Sequence, residues 1–351
     1  MNKMTSRERF EATLAHEPVD RACILEMDEA LLMARYIGLQ VKDLRWSPEV
    51  AAKATAELQK FTKFDIIVSA TENMGILKDL GQTTSEPDNN TASPTSLFYA
   101  TPEDVDSKEF FDPMDPKQTP WMNKGTFDKV GPSRELVGDN VIMTGLVPGV
   151  MSMSAFLMGA EPLMLNIITE PEMAKKVISN VEKLCEGILS RYVEAGIELP
   201  LIGDPVASED LISEQLFRDF AMGPTMRNFV HLKSAYKTPI LYHVCGDTQN
   251  VCKLTPEMGV DIFSVDSKID LAHYKRTIGD RVVVAGAVPT ITALLNGTKE
   301  TVRESVRSCT EKAAHGGGFV LAPACGFPRD TPWDNITMLR TAAEEYTPVY
   351  Q

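Results

Sequence analysis

The stretch Pro239-Ile-Leu-Tyr-His-Val-Cys-Gly-Asp247 decides the fold and points to the chemistry. Ile240–Tyr242 has the apolar character of a buried strand, and Gly246-Asp247 supplies the turn that ends it. Side chains alternate faces along a strand, so His243 and Cys245 project to one side at its carboxyl end. An imidazole and a thiolate placed together suit zinc. A distant stretch, Leu321-Ala-Pro-Ala-Cys-Gly326, sets Cys325 just beyond another apolar run as a third ligand. Three protein ligands leave a fourth position open, which marks a catalytic rather than a structural zinc. Core packing of the cysteines and a simple hydrogen bond to the histidine explain the same residues, because His-x-Cys is a short pattern.

Outward from this stretch the chain repeats one rhythm. Apolar runs suited to buried parallel strands occur at 22–25, 66–68, 141–143, 199–202, 240–242, 262–265, 282–285 and 319–321. Helical patterns lie between most of them, at 48–61, 171–195, 213–236, 299–314 and 331–345. Thr5-Ser6 followed by Glu8 opens a capped helix that stops near Pro18. Residues 82–140 are rich in Pro, Asn, Asp, Ser and Thr and are expected to form loops with a hairpin among them. Eight strand–helix units predict a closed (β/α)8 TIM barrel with an N-terminal helical extension and a long insertion around 82–140, as one domain over 1–351. An open doubly wound sheet is the alternative, but no strand is followed by a glycine-rich dinucleotide turn. In a barrel, catalytic groups sit at the carboxyl ends of the strands, where the fifth and eighth would bring His243, Cys245 and Cys325 together.

Composition narrows the class of function. The chain has 351 residues, 43% of them hydrophobic, with a formal net charge of −14. Nucleic-acid binding wants a basic face, so no nucleic-acid partner is expected. No signal-peptide core opens the sequence, and no apolar run approaches the roughly 20 residues needed to span a bilayer. Neither a membrane nor export is expected, and the six cysteines are too sparse for a disulfide framework. A cytoplasmic location follows as the expectation.

Two acids are candidate catalytic groups at the barrel mouth. Asp204 follows the fourth strand in Gly203-Asp-Pro-Val-Ala-Ser208, and Glu72 follows the second in Ser69-Ala-Thr-Glu-Asn73. Helix capping or loop hydrogen bonding is the plain alternative for each, as it is for Asp266. Gly316-Gly-Gly318 precedes a strand rather than opening a helix, so it is expected to be a turn rather than a phosphate cradle. Cys23, Cys185, Cys252 and Cys309 are expected in the core.

Several motifs together carry a resemblance: Arg7-Glu-Arg-Phe10, Glu17-Pro-Val-Asp-Arg21, Gly159-Ala-Glu-Pro-Leu163, Gly203-Asp-Pro-Val-Ala-Ser208, Leu241-Tyr-His-Val-Cys-Gly-Asp247 and Cys325-Gly-Phe-Pro-Arg-Asp-Thr-Pro-Trp-Asp-Asn335. The sequence resembles the uroporphyrinogen decarboxylase superfamily, and within it the zinc methyltransferases of the methylcobamide:coenzyme M type. That resemblance implies a TIM barrel, and it implies His243, Cys245 and Cys325 as zinc ligands. It also implies a corrinoid (cobalamin) supplied by a partner protein. Decarboxylases of the superfamily carry Met-Arg-Gln-Ala-Gly-Arg near the amino end to hold substrate carboxylates. Here the matching residues are Leu25-Glu-Met-Asp-Glu-Ala30, acidic instead, and the decarboxylase aspartate at the barrel mouth falls on Glu72. Where the methyltransferases often show Gly-Asn-Val-Asp-Pro, this chain has Gly286-Ala-Val-Pro-Thr290, which puts coenzyme M itself in question.

The expected activity is methyl transfer between a methyl-Co(III) corrinoid protein and a zinc-activated acceptor such as a thiol, with Glu72 or Asp204 assisting. A donor-side enzyme, passing a methyl from a methoxy, methylamine or quaternary amine compound to Co(I), would use the same ligands. For a quaternary amine donor, the acids Glu26, Asp28 and Glu29 are suggestive. A non-catalytic barrel that only binds a corrinoid protein is the rival from another class, and decarboxylation is disfavoured by the missing arginines.

Overall fold

The computed structural model describes residues 3–28, 30–71 and 74–346. Each of the eight apolar runs forms a strand: β1 (Cys23–Ile24), β2 (Ile66–Thr71), β3 (Ile142–Pro148), β4 (Leu199–Gly203), β5 (Leu241–Val244), β6 (Ile262–Val265), β7 (Val283–Val288) and β8 (Phe319–Pro323). All neighbouring pairs are parallel, in the order β1-β8-β7-β6-β5-β4-β3-β2. A parallel bridge between Leu25 and Ile66 closes the ring, so the sheet is a TIM barrel.

Strand periodicity divides the core in two. Cys23, Leu25, Ile66, Leu199, Leu201, Leu241, Ile262, Val283 and Val320 fill the barrel interior, while Ile24, Ile67, Tyr242, Phe263 and Val284 pack outward against helices. Helix Pro171–Glu194 shows the complementary pattern, burying Ala174, Val177, Val181, Leu184, Ile188 and Tyr192 at steps of three and four. Burial of each such large apolar side chain contributes roughly 1.5–3 kcal/mol.

The amino-terminal ends of the strands are stoppered by helix Ser6–Leu14, whose Phe10 joins the interior cluster. Thr5 and Glu8 form the expected capping box. Two of the quoted motifs converge here. Arg9 and Arg21 both donate to the fully buried Asp65 at 2.6 Å, and Arg9 also bonds Asp20 at 2.7 Å. The Gly316–Gly318 turn lies at this same end, where Cβ atoms at Gly317 and Gly318 would collide with His16.

Two expectations need correction. The helix expected over 213–236 is broken into Glu214–Leu216, a wide π turn at Phe217–Met222, and Gly223–Tyr236. Pro224 lacks the N–H that a regular turn would donate to Phe220, so the backbone widens there. The 82–140 region does contain a hairpin, Thr84–Ser85 with Ser93–Pro94, but also helices at Pro102–Ser107 and Val130–Val137. Pro132 masks the second of these in the sequence, yet it falls in the first turn, where a missing N–H costs little. Among the described residues no single helix is long and apolar enough to cross a membrane.

Candidate metal centre

Leu241 points into the barrel, so two residues on His243 does too, in register with Gly203 of β4 and Ser264 of β6. The imidazole is almost wholly buried. Its Nδ1 lies 3.0 Å from Ser264 Oγ, which leaves Nε2 aimed at Cys245 Sγ, 3.1 Å away. Such a partner on the far nitrogen fixes the ring's orientation at a metal site. Cys245 follows β5 at a sharp turn. Gly246 has φ +79°, its N–H donates to Asp266, and a Cβ there would lie 2.2 Å from Asp210 Oδ2.

Cys325 arrives from β8. Ala324 N–H donates to Val288 O of β7, and Phe327 N–H donates to Met27 O just past β1, pinning the loop on both sides of the cysteine. The ligand atoms of His243, Cys245 and Cys325 all lie within 4.8 Å of one another. Hydrogen bonds from Cys245 and then His243 pull the Cys325 thiol down to about 4 against the opposing effect of burial. A thiolate is the form that binds metal.

The donor set fits zinc. A tetrahedral ion with bonds of about 2.3 Å to sulfur spaces its sulfurs roughly 3.8 Å apart. Cys245 and Cys325 sulfurs are 3.6 Å apart. By contrast, burial pushes the thiols of Cys23, Cys185, Cys252 and Cys309 upward, in keeping with core positions.

A cavity of about 190 Å³ opens beside the three ligands. Met27, Met74, Leu146, Phe156 and Leu201 supply its apolar wall. Asp204 stands behind that wall. It is fully buried and accepts from Ser152 N at 2.8 Å, Ser152 Oγ at 2.7 Å and Met151 N at 3.3 Å, so it caps helix Val150–Met158. Gly149 permits this approach, since a Cβ there would lie 2.5 Å from the Asp204 carboxylate. Burial raises the Asp204 carboxyl to about 6 despite these hydrogen bonds.

Glu72, the other candidate acid, lies outside the described residues, as does Glu29. Glu26 and Asp28, suggested for a quaternary amine donor, are both buried. Asp28 accepts from Leu32 N and Met33 N at the start of helix Leu31–Tyr36. Glu26 is buried with neither carboxyl oxygen hydrogen-bonded among the described residues, and burial followed by the nearby Asp28 holds its carboxyl well above the usual range.

Ser264 was not singled out from the sequence. The available signal is a lone hydroxyl on the inward phase of Ile262-Phe-Ser-Val265, one strand over from His243.

The methylcobamide:CoM methyltransferase MtaA of Methanosarcina barkeri is 26% identical to this chain over 355 residues, 99% of both chains. A uroporphyrinogen decarboxylase of Legionella pneumophila (strain Lens) is 26% identical over 188 residues, 53% of this chain and 52% of its own. A solved methyltransferase from Methanosarcina mazei shares the fold with a TM-score of 0.86 at 22% identity, covering 98% of this chain and 99% of that one. The uroporphyrinogen decarboxylase (URO-D) family pattern matches residues 5–346, and the chain belongs to that family.

Proposed function

We propose that this chain is a zinc-dependent methyltransferase moving a methyl group between a corrinoid, carried by a separate protein, and a small acceptor such as a thiol. The observation that carries the proposal is the convergence of His243, Cys245 and Cys325 beside a cavity at the barrel mouth. End-to-end similarity to a methylcobamide:CoM methyltransferase supports the same kind of reaction.

A zinc ion held by these residues would supply Lewis acidity, lowering the pKa of a substrate thiol at neutral pH. His243 and the two cysteines hold that position at the cavity's head, and Ser264 orients the imidazole. Asp204 ties the first turn of helix Val150–Met158, which carries Ser152, to the loop after β4, which carries Pro205, and so acts as a positioning residue for two residues of the wall. The apolar wall excludes water from the reacting sulfur. In the transfer, the thiolate sulfur forms the new S–C bond while the Co–C bond of the methyl-Co(III) corrinoid breaks. Both electrons of that bond stay on cobalt, giving Co(I). Decarboxylation of a multi-carboxylate substrate finds no support, since no described residue of the cavity is an arginine or lysine.

The test is to measure zinc per chain and to follow the visible spectrum of methylcobalamin with a panel of thiols and folates. Demethylation that disappears in Cys245→Ala and Cys325→Ala is expected. A protein that purifies without zinc and gains none on incubation would overturn the proposal. Reaction only with Co(I) plus a methyl donor would assign the opposite direction of transfer.

A further inference from the structure

Given the metal-thiol reading above, the cavity says something about the charge of the molecule it takes. We infer that the small-molecule substrate is an uncharged thiol or thioether with a short apolar tail, not one bearing a sulfonate, carboxylate or ammonium group. The juxtaposition that carries this is an apolar wall, no cationic side chain among its described residues, and two helix starts already occupied by the chain's own carboxylates.

Among the described residues of the lining, none is a lysine or arginine. The undescribed residues nearest in sequence, Glu29, Glu72 and Asn73, bring no positive charge either. Neighbouring cations are directed elsewhere. Lys268 pairs with Asp210, Lys129 lines an adjoining crevice behind β2, and Arg329, outside the lining, pairs with the exposed Asp330 at 3.4 Å while its Nε is buried without a partner among the described residues. Backbone N–H groups at a helix start are the other common anion site. Three helices begin at this cavity: Asp204 accepts from Met151 and Ser152 at one and Asp28 from Leu32 and Met33 at another, while the third, Gly75–Asp79, is a five-residue turn with too few aligned peptides to hold an anion. A divalent ion held by two thiolates and a neutral imidazole has no net charge to offer an anion. An anionic group two carbons from the sulfur would therefore be desolvated within the wall with no partner.

A cationic tail fares no better. Asp28 and Asp204 direct both carboxylate oxygens to backbone donors. Recognition of quaternary ammonium favours a cage of several aromatic rings. Phe156 is the one carbocyclic ring in the described lining.

The experiment uses the full chain with cobalt(II) in place of zinc, whose sulfur-to-metal charge-transfer band reports thiol binding without turnover. Ethanethiol, 2-mercaptoethanol, 2-mercaptoethanesulfonate, 3-mercaptopropionate and cysteamine are titrated, with affinities compared per thiolate present. The two uncharged thiols are expected to bind at least about tenfold more tightly than the three charged ones. Phe156→Arg, which sets a cation on the wall, is expected to raise the affinity for the sulfonate by a similar factor. Equal or tighter binding of the sulfonate by the unsubstituted chain overturns the inference and leaves the metal-thiol reading standing. If cobalt binds but no thiol alters its spectrum, both are overturned.

Discussion

Cys245 Sγ and Cys325 Sγ lie 3.6 Å apart, although 80 positions separate them in the chain. Their strands, β5 and β8, do not touch in the sheet, so only closure of the barrel brings the two sulfurs together. Each cysteine is held by its own turn, at Gly246 and at Phe327. Cys245→Ala and Cys325→Ala should therefore each lower zinc per chain several-fold after dialysis while leaving the far-ultraviolet circular dichroism unchanged. Undiminished zinc in Cys325→Ala would remove that residue from the ligand set.

Ser264 controls the histidine rather than the metal directly. Its Oγ sits 3.0 Å from His243 Nδ1, so Ser264→Ala leaves the ring nitrogen nearest the thiols without a fixed aim. Loss of such an outer partner typically costs 10–100-fold in metal affinity. Competition with a chromophoric chelator should show a loss of about that size, with the stability of the metal-free protein changed little. An unaltered affinity would mean that packing alone orients the ring.

Asp204 makes a prediction with a definite sign. Burial raises its carboxyl from the ordinary 3.8 to about 6 in the folded chain, so folding favours the protonated form. The associated stability is fully present below the unfolded value and is lost as pH rises through the folded one. Asp204→Asn keeps an acceptor for Ser152 N–H but cannot ionise. The stability of the unsubstituted protein relative to this variant should fall by roughly 2 kcal/mol between pH 4 and pH 7.5. Urea denaturation at the two pH values measures it, and a pH-independent difference would place the carboxyl in its ordinary range. Gly149→Ala should destabilise at every pH, because its Cβ would meet the Asp204 carboxylate at 2.5 Å.

These residues also show what a one-dimensional reading reveals. The strands were legible because each is a short, fully buried apolar run, and their alternation with amphipathic helices leaves few architectures open. The convergence of His243, Cys245 and Cys325 was legible because strand period and strand end fix where a side chain points. The capping role of Asp204 was visible only as one of two options, since the sequence does not show that Gly149 opens a path to it. The burial of Glu26 and Asp28 was not legible, because the local pattern carries no information about what covers them. The helix at Val130–Val137 was hidden by Gly131-Pro132, whose usual meaning as a breaker does not apply in a first turn.

Asp65 anchors the opposite end of the barrel, and its removal should separate stability from the metal site. It is fully buried and accepts from Arg9, Arg21, Ser6 Oγ at 2.8 Å and Ile24 N at 2.9 Å. These bonds tie the stopper helix Ser6–Leu14 to β1 and to the turn before β2. Asp65→Ala leaves two guanidinium groups buried without their shared carboxylate, and breaking such a network costs about 3–5 kcal/mol. The midpoint of urea denaturation should fall accordingly. Zinc per chain, measured where the variant is still folded, should not change, because His243, Cys245 and Cys325 sit at the carboxyl ends of the strands. Loss of zinc from folded Asp65→Ala would show that the two ends of the barrel are coupled.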